Sequence, residues 1–228
     1  MTKLAVLGTG DAVDPNADVP APIQTAATSS RPVLLDVPGV VFPDSQAARE
    51  ACAQAYLDAG IAAAHEGFDG LYINTVGDYG LHRLRQAVDI PVTGSGEAAI
   101  IDARKHGRFA FVTIWPPSMA FIYQAILDAA GAVEDCVAIH HLSGDPQLAT
   151  LGQSGNFVEQ MQACSLTSMQ QIRAACTEAL EREGAEVIVL GCTCMQPVAA
   201  LLERDGLPVI EPMTAGYRRL EALAATAH

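Results

Sequence analysis

The sequence predicts an α/β protein built from two pseudo-symmetric lobes, each a parallel sheet covered by helices. Short apolar runs alternate with longer amphipathic stretches along almost the whole chain. Parallel strands need this order because each strand requires a helical crossover to the next. In addition, a shift of 117 positions lays residues 67–98 on residues 184–215 without a gap. A repeated unit of this kind indicates two lobes of the same architecture.

Eight short apolar runs, most of them bounded by polar, Gly or Pro residues, have the length and composition of buried strands. The predicted strands are residues 4–7, 33–36, 70–75, 90–92, 109–114, 137–140, 187–191 and 208–210. The Val-Ile-Val-Leu run at 187–190 is apolar at every position, which is typical of a strand covered on both faces. We therefore expect the strands in the centre of each lobe.

Seven stretches between the strands have helical periodicity. They are residues 45–66, 80–88, 96–106, 117–130, 165–183, 195–204 and 214–225. Ser45 offers an N-cap hydroxyl, Pro117 stands in a first turn, and Gly131 follows a helix end, as helix boundaries prefer. Residues 11–31 are rich in Pro, Asp and Thr without a clear period, and we expect a functional loop there that can include a short helix.

The internal repeat pairs particular loops of the two lobes. A second shift, of 105 positions, lays residues 4–8 on residues 109–113, and the longer shift lays Thr75 on Cys192. Many βαβ units match by chance, but ungapped registration over 32 residues favours a real repeat. Two similar lobes that face each other present corresponding loops to one cleft, beyond the carboxyl ends of their strands. The lobes are expected at residues 1–95 plus 208–228 and at residues 96–207.

The composition excludes several classes of protein. Half of the 228 residues are hydrophobic and 17% are charged, which is outside the disordered range. No run of about 18 apolar residues is present, and the chain starts like a strand rather than a signal peptide, so we expect a soluble cytoplasmic protein. Lys and Arg number 13 against 26 Asp and Glu, and the net charge of −13 disfavours nucleic acid and anionic membranes as partners.

The six cysteines are expected to be reduced in such a compartment, and the ordinary interpretation is six buried thiols. Four are scattered without a disulfide-like spacing: Cys52, Cys136, Cys164 and Cys176. Cys192 differs because it follows an apolar strand and precedes a helix. Backbone N–H groups at such a turn lower a thiol pKa, and the thiol can then take up and return a proton. The alternative is a small buried residue without a chemical role.

Five blocks of sequence, met in order along the chain, carry a family resemblance. They are DGLYINTVGDYGL at 69–81, IPV at 90–92 with GEAA at 96–99, GRFAFVT at 107–113, GAEVIVLGCTCM at 184–195 and LPVI at 207–210. In these blocks the chain resembles the aspartate/glutamate/hydantoin racemase superfamily, and the hydantoin racemase branch most. The resemblance covers roughly two thirds of the chain, from about residue 69 onward.

That resemblance implies a fold and a mechanism. It implies two flavodoxin-like lobes with the active site in the interlobe cleft, no cofactor, and a small-molecule substrate with a carboxylate or cyclic amide. It also implies a homo-oligomer, as is usual among such enzymes. One cysteine from each half acts on opposite faces of the substrate α-carbon, and Cys192 matches the second of the two.

The sequence departs from the family pattern at the first cysteine. The block alignment puts that position at Thr75, and an alternative register on the Asn-Thr dipeptide puts it at Ile73. A threonine hydroxyl cannot act as a base at neutral pH, but it can donate a hydrogen bond to a carboxylate or enediolate. Arylmalonate decarboxylases look like racemases without the first cysteine and protonate an enediolate from one side. A racemase, a single-cysteine decarboxylase and a non-catalytic ligand-binding relative therefore stay open.

The loops that resemble the family's cleft supply the other candidates. Expected substrate-binding residues are Asn74, Thr75, Val76, Thr113, Ser118, Thr193 and Cys194. Asp78 can orient its loop or replace the missing base, and Thr9 and Asp11 are minor candidates. Cys192 and Cys194 with His140 and His141 lack the commonest zinc spacing, so a metal site is not expected.

Overall fold

The computed structural model describes residues 1–8 and 18–226, so the minor candidates Thr9 and Asp11 lie outside the described residues. The described strands are β1 (Thr2–Leu7), β2 (Ser30–Leu35), β3 (Gly70–Ile73), β4 (Val92–Gly94), β5 (Phe109–Thr113), β6 (Cys136–His141), β7 (Val187–Leu190) and β8 (Val209–Ile210). They form two four-stranded sheets of the same order, β2-β1-β3-β4 and β6-β5-β7-β8. All pairings are parallel, which confirms the predicted α/β class.

Helices follow the strands on both sheets. They are α1 (Ala21–Ala26), α2 (Gln46–His65), α3 (Leu81–Ala87), α4 (Ser95–Ala103), α5 (Ala120–Ala130), α6 (Asp145–Leu148), α7 (Phe157–Gln162), α8 (Leu166–Glu181), α9 (Gln196–Arg204) and α10 (Pro212–Thr226). The N-cap prediction at Ser45 is confirmed, since its hydroxyl accepts a hydrogen bond from the Ala48 amide at 3.2 Å. Within the described residues, no helix combines the length and apolar character that crossing a membrane requires.

The predicted elements agree with the observed ones to within a few residues, with two exceptions. The helices α6 and α7 lie in a stretch for which the sequence predicts no element, because four and six residues are too few to show helical periodicity. Strand β4, at Val92–Gly94, shares only Val92 with the strand predicted at residues 90–92. The short helix allowed for in the early loop is α1.

The chain divides into two compact units, Met1–Ala98 with Met213–His228 and Ala99–Pro212. The sequence places residues 208–212 with the first lobe, whereas β8 is paired with β7 through Ile188 and Val209. It places residues 96–98 with the second lobe, whereas the division falls inside α4. Each unit thus keeps its sheet intact.

Each sheet of the fold is covered by helices on both faces, and alternate strand residues enter different cores. In the first unit, Leu4 and Val6 pack with Tyr217 of α10, while Ala5 and Leu7 pack with Tyr56 of α2. In the second unit, alternate residues of β5 and β7 pack against α8 and α9. The carboxyl ends of the strands are left to the loops that carry the predicted site residues.

A buried carboxylate ties α10 to the start of β2. The Glu221 side chain accepts hydrogen bonds from the backbone amides of Thr28, Ser29 and Ser30 at 2.9–3.1 Å, and from the hydroxyls of Thr28 and Ser30. Burial raises the pKa of Glu221, but the hydrogen bonds from Ser30 and Thr28 outweigh it and lower the pKa from 4.5 to about 2. The ionised form is therefore the form that the fold requires.

We expect Glu221→Gln to lower the free energy of unfolding at pH 7 by about 2 kcal/mol, allowing for partial screening by solvent. Because the folded pKa is depressed, this stabilisation is present above pH 4.5 and is lost as the pH falls toward 2. Urea unfolding across that range measures it. The matched control is Glu203→Gln on an exposed site of α9, and equal losses in both variants would contradict the prediction.

Candidate active site

Cys192 lies between the end of β7 and the start of a helical turn in the second unit. The strand ends at Leu190, a 3-10 turn occupies Thr193–Met195, and α9 follows at Gln196. Cys192 is half-buried and serves as the N-cap of the turn, where its Sγ accepts a hydrogen bond from the Cys194 amide at 3.2 Å. The predicted setting of a sulfur at a strand-to-helix turn, next to a backbone N–H donor, is confirmed.

The backbone before Cys192 is held by a hydrogen-bond network from the neighbouring strand and from α5. The Gly191 amide donates to the Val112 carbonyl at 2.8 Å, and the Tyr123 hydroxyl donates to the Gly191 carbonyl at 2.8 Å. A Cβ at position 191 would lie 2.5 Å from the Thr113 Cβ, so this close approach requires glycine. Gly191, the residue before Cys192, is therefore held in place through both its amide and its carbonyl group.

Thr113 and Tyr123 share that network. The Thr113 side chain is fully buried, and its Oγ1 hydrogen-bonds with the Tyr123 hydroxyl at 2.5 Å and accepts from the Trp115 amide at 3.2 Å. Burial raises the pKa of Tyr123, so its hydroxyl stays protonated. Tyr123 is a residue that the sequence did not single out. It lies among the apolar positions of α5, and no local signal distinguishes its hydroxyl from that of a core tyrosine.

Cys192 and Cys194 are joined by a disulfide bond. This corrects the expectation of six buried thiols, because the tight turn brings the two Cα atoms to 5.1 Å, within the reach of a disulfide. A disulfide sulfur has no proton to exchange, so acid/base chemistry at Cys192 belongs to the reduced form.

Three of the four free cysteines are poor candidates for proton transfer. Burial raises the pKa of Cys136 to about 11 and that of Cys176 to about 12, so neither thiol ionises near neutral pH. Burial also raises the pKa of Cys52, whose thiol donates to the Val41 carbonyl at 2.9 Å. Of these three cysteines and the two in the turn, only Cys192 and Cys194 combine partial burial with a position beside a helix N-terminus.

In the first unit the corresponding loop follows β3 and contains Thr75. Thr75 is 8% exposed, and its Oγ1 has no hydrogen-bond partner within the described residues. An unpaired buried hydroxyl is costly unless a ligand or water satisfies it. Next to it, the side-chain oxygen of Asn74 accepts from the Tyr72 hydroxyl at 3.2 Å, and Val76 is buried.

Asp78 fastens this loop to α4. Its two carboxylate oxygens accept hydrogen bonds from the amides of Gly96 at 2.9 Å and Glu97 at 2.6 Å, and its φ of 46° is in the left-handed region. Burial raises the pKa of Asp78 to about 7, although these two hydrogen bonds lower it. A Cβ at Gly94 would collide with the carboxylate, so glycine is required there. The carboxylate therefore orients the loop, one of its two predicted roles.

The remaining predicted residues lie on the loops of the second unit. Ser118 is exposed on a 3-10 turn and its side chain does not cap that turn, while Thr193 is half-buried directly after Cys192. His140 pairs with Glu183 at 2.7 Å, and the Nδ1 of His141 lies 2.9 Å from the Trp115 carbonyl oxygen. Both histidines of the metal hypothesis thus have other partners.

Comparison with known proteins gives a consistent result. The profile of the family described as Asp/Glu/Hydantoin racemase matches residues 21–220. A hydantoin racemase from Paenarthrobacter aurescens is 33% identical over 159 residues, which cover 69% of this chain and 62% of that protein. The match therefore spans less than two thirds of that relative's length.

Solved structures extend the likeness to the whole fold. An allantoin racemase from Klebsiella pneumoniae has a TM-score of 0.77 and 26% identity, covering 100% of this chain and 89% of that one. The Gly74Cys mutant of arylmalonate decarboxylase has a TM-score of 0.68 and 16% identity, covering 100% and 95% of the two chains. At that identity the second likeness concerns the fold alone.

Proposed function

The chain belongs to the Asp/Glu/hydantoin racemase family, and from this premise we propose that it is a cofactor-independent racemase or isomerase. The reaction is proton transfer at a carbon next to a carbonyl or carboxylate group, in a small hydantoin-like or amino-acid-like substrate. The observation that carries the proposal is the position of Cys192 at the end of β7, with a backbone N–H donor 3.2 Å from its sulfur.

Reduced Cys192 acts as the acid and base of this reaction. Its thiolate takes the α-proton and becomes a thiol, while the electron pair of the C–H bond passes into an enolate. The thiol returns a proton to the same face of the carbon and restores the starting enantiomer, whereas inversion requires that a second donor protonates the opposite face. Backbone N–H groups of the Thr193–Met195 turn favour the anionic states, because they form the positive end of a helical turn.

Hydroxyl and amide groups on the loops bind the substrate in this proposal. The strongest support concerns Thr75, whose buried hydroxyl has no partner within the described chain and can donate to a carboxylate or enolate oxygen. Thr113 supports the Cys192 turn through Tyr123, in addition to its proposed contact with substrate. The proposed substrate-binding residues are Asn74, Thr75, Val76, Thr113, Ser118, Thr193 and Cys194.

A decarboxylase is the second candidate, and the absence of a thiol at residues 73–75 favours it. Racemisation requires a proton on the opposite face of the carbon, and the side chains of Ile73, Asn74 and Thr75 supply no acid or base. In a decarboxylase, the carbon–carbon bond to one carboxylate breaks and CO₂ leaves. The electron pair of that bond stays on the remaining fragment, which becomes an enediolate, and Cys192 alone protonates this intermediate.

A substrate panel tests the proposal on the reduced protein. Loss of optical rotation from a 5-substituted hydantoin or an amino acid, faster than without protein, supports the racemase. Release of CO₂ from an aryl- or alkylmalonate, without such loss, contradicts it in favour of the decarboxylase. No turnover of any substrate contradicts both and leaves the ligand-binding relative.

Replacement of Thr75 by valine is expected to lower kcat/KM by about 10–100-fold, the cost of one hydrogen bond to a charged group. The melting temperature should not fall, because valine has nearly the shape of threonine and removes an unpaired buried hydroxyl. Thr75→Ser restores the hydroxyl and should recover most of the activity. Full activity in Thr75→Val would contradict a role for this hydroxyl.

A further inference from the structure

Tyr123 carries a buried hydroxyl to which the proposed reaction gives no part. The side chain is 1% exposed on α5, and its ring packs on that of Phe111 with the ring centroids 5.3 Å apart. Burial raises the pKa of the hydroxyl, so it stays a proton donor at neutral pH. A buried hydroxyl needs hydrogen-bond partners, and those of Tyr123 lie next to the Cys192 turn.

The protons of Tyr123 and Thr113 have one consistent order. Tyr123 has a single proton and donates it to the Gly191 carbonyl at 2.8 Å, because otherwise two oxygens would face each other with no proton between them. The bond of 2.5 Å between the two hydroxyls therefore uses the Thr113 proton. Thr113 in turn accepts from the Trp115 amide at 3.2 Å. A directed chain of hydrogen bonds thus runs from the Trp115 amide to the Gly191 carbonyl.

The end of this chain fixes the peptide that leads into Cys192. The Gly191 carbonyl and the Cys192 nitrogen belong to one planar trans peptide, so a bond that holds the oxygen also sets the plane. Glycine has the widest backbone freedom of all residues, yet the close approach to Thr113 requires glycine at position 191. The Tyr123 hydroxyl therefore restricts the backbone at the point where the sequence leaves it most free.

The first unit shows which part of this arrangement belongs to the common fold. Asn74, the counterpart of Gly191 in the sequence repeat, donates its amide to the Leu7 carbonyl at 3.0 Å. The Gly191 amide makes the same bond to Val112 at 2.8 Å. The amide bond is thus a feature of both sheets, whereas the bond to the Gly191 carbonyl comes from a side chain of α5.

We propose that Tyr123 is a positioning residue for Cys192: its hydroxyl fixes the Gly191–Cys192 peptide and thereby holds the Cys192 sulfur against the Cys194 amide. That amide donates to the sulfur at 3.2 Å, and such a donor stabilises a thiolate. The chain of hydrogen bonds includes no sulfur atom, so its partners are the same in the reduced protein. The expected effect on turnover rests on the proposed function, whereas the effect on the thiol does not.

One NMR resonance reports the bond to Gly191 directly. Gly191–Cys192 is the single Gly-Cys dipeptide of the chain, so ¹³C at glycine carbonyls and ¹⁵N at cysteine give one carbonyl–nitrogen cross-peak. A hydrogen bond draws electron density from the carbonyl carbon, so we expect this carbon resonance to move upfield in Tyr123→Phe. The matched control is Tyr217→Phe, which should leave it in place, because the buried Tyr217 hydroxyl pairs with Ser30 in the first unit at 2.7 Å.

Two further measurements on reduced protein separate positioning from stability alone. The pH dependence of iodoacetamide labelling at Cys192, followed by peptide mass spectrometry, should show a higher thiol pKa in Tyr123→Phe, because the sulfur is no longer held against the Cys194 amide. With the best substrate of the panel, kcat should fall about 10- to 100-fold while KM stays within about 2-fold. Tyr217→Phe should match the wild type in both measurements, whatever its melting temperature.

Wild-type protein made with 3-fluorotyrosine decides the case in which Tyr123→Phe does not fold. Its hydroxyl is more acidic and donates more strongly, so the Gly191 carbonyl resonance should move downfield, and an unmoved resonance would overturn the proposal. In a folded Tyr123→Phe, an unchanged Cys192 titration or an unchanged kcat would overturn it. If the wild type turns over no substrate, the proposed function fails and the Cys192 titration alone decides the positioning role.

Discussion

Cys192→Ala is expected to lower kcat by about 10²- to 10⁴-fold, the usual contribution of a general acid/base group. The variant keeps the Gly191 backbone and its hydrogen bonds to Val112 and Tyr123, so the site loses the sulfur and the hydrogen bond that it accepts from the Cys194 amide. Steady-state kinetics on the best substrate of the panel measures the effect. KM should change much less than kcat, because the sulfur acts on the proton and not on the binding groups.

The matched control is Cys136→Ala. This thiol is also half-buried, but burial raises its pKa to about 11, so it takes no part in proton transfer. We expect its kcat to remain within about 2-fold of the wild type. A Cys192→Ala variant that retains wild-type turnover on every active substrate would refute the proposed mechanism.

Reductant is expected to control the activity of the wild-type protein, and Cys194→Ala is expected to abolish that control. The disulfide with Cys194 removes the proton-carrying thiol of Cys192. A dithiol such as dithiothreitol reduces this bond by exchange, forming its own disulfide and two protein thiols. We expect turnover to rise by about 10²-fold or more on reduction, since the oxidised form lacks the acid/base group.

Without Cys194 the disulfide cannot form, so the turnover of Cys194→Ala should be equal before and after treatment with dithiothreitol, even where the loss of Cys194 from the proposed substrate-binding residues lowers it. Titration of free thiols, with and without reductant, counts the sulfurs released in the wild type and in the variant. Wild-type activity that is the same in fully oxidised and fully reduced protein would contradict this prediction.

Much of the fold could be predicted because the repeat and the alternation of apolar and polar residues are both visible in the sequence alone. The shift of 117 positions lays β3 on β7 residue for residue, and it lays the start of β4 on the start of β8. Runs such as Val187–Leu190 are apolar throughout because the strand is covered on both faces. The short helices α6 and α7 were missed because their positions depend on packing and capping rather than on periodicity.

The sequence predicts those parts of the site that depend on residue type and on spacing along the chain. Cys192 after an apolar strand, and Thr75 where the family has a cysteine, are both visible in the sequence. The Cys-X-Cys spacing was visible too, but its disulfide depends on the conformation of the Thr193–Met195 turn. The hydrogen bond from Tyr123 to Gly191 joins residues 68 positions apart, so only the tertiary fold brings them together.

Hydrogen exchange at the substrate carbon tests the central proposal, Cys192-dependent proton transfer, most directly. Reduced protein is incubated in D₂O with a single enantiomer of the best substrate, and the recovered substrate and product are analysed for deuterium at the α-carbon. We expect incorporation by the wild type and a loss of about 10²-fold or more in Cys192→Ala. Undiminished incorporation in Cys192→Ala would contradict it.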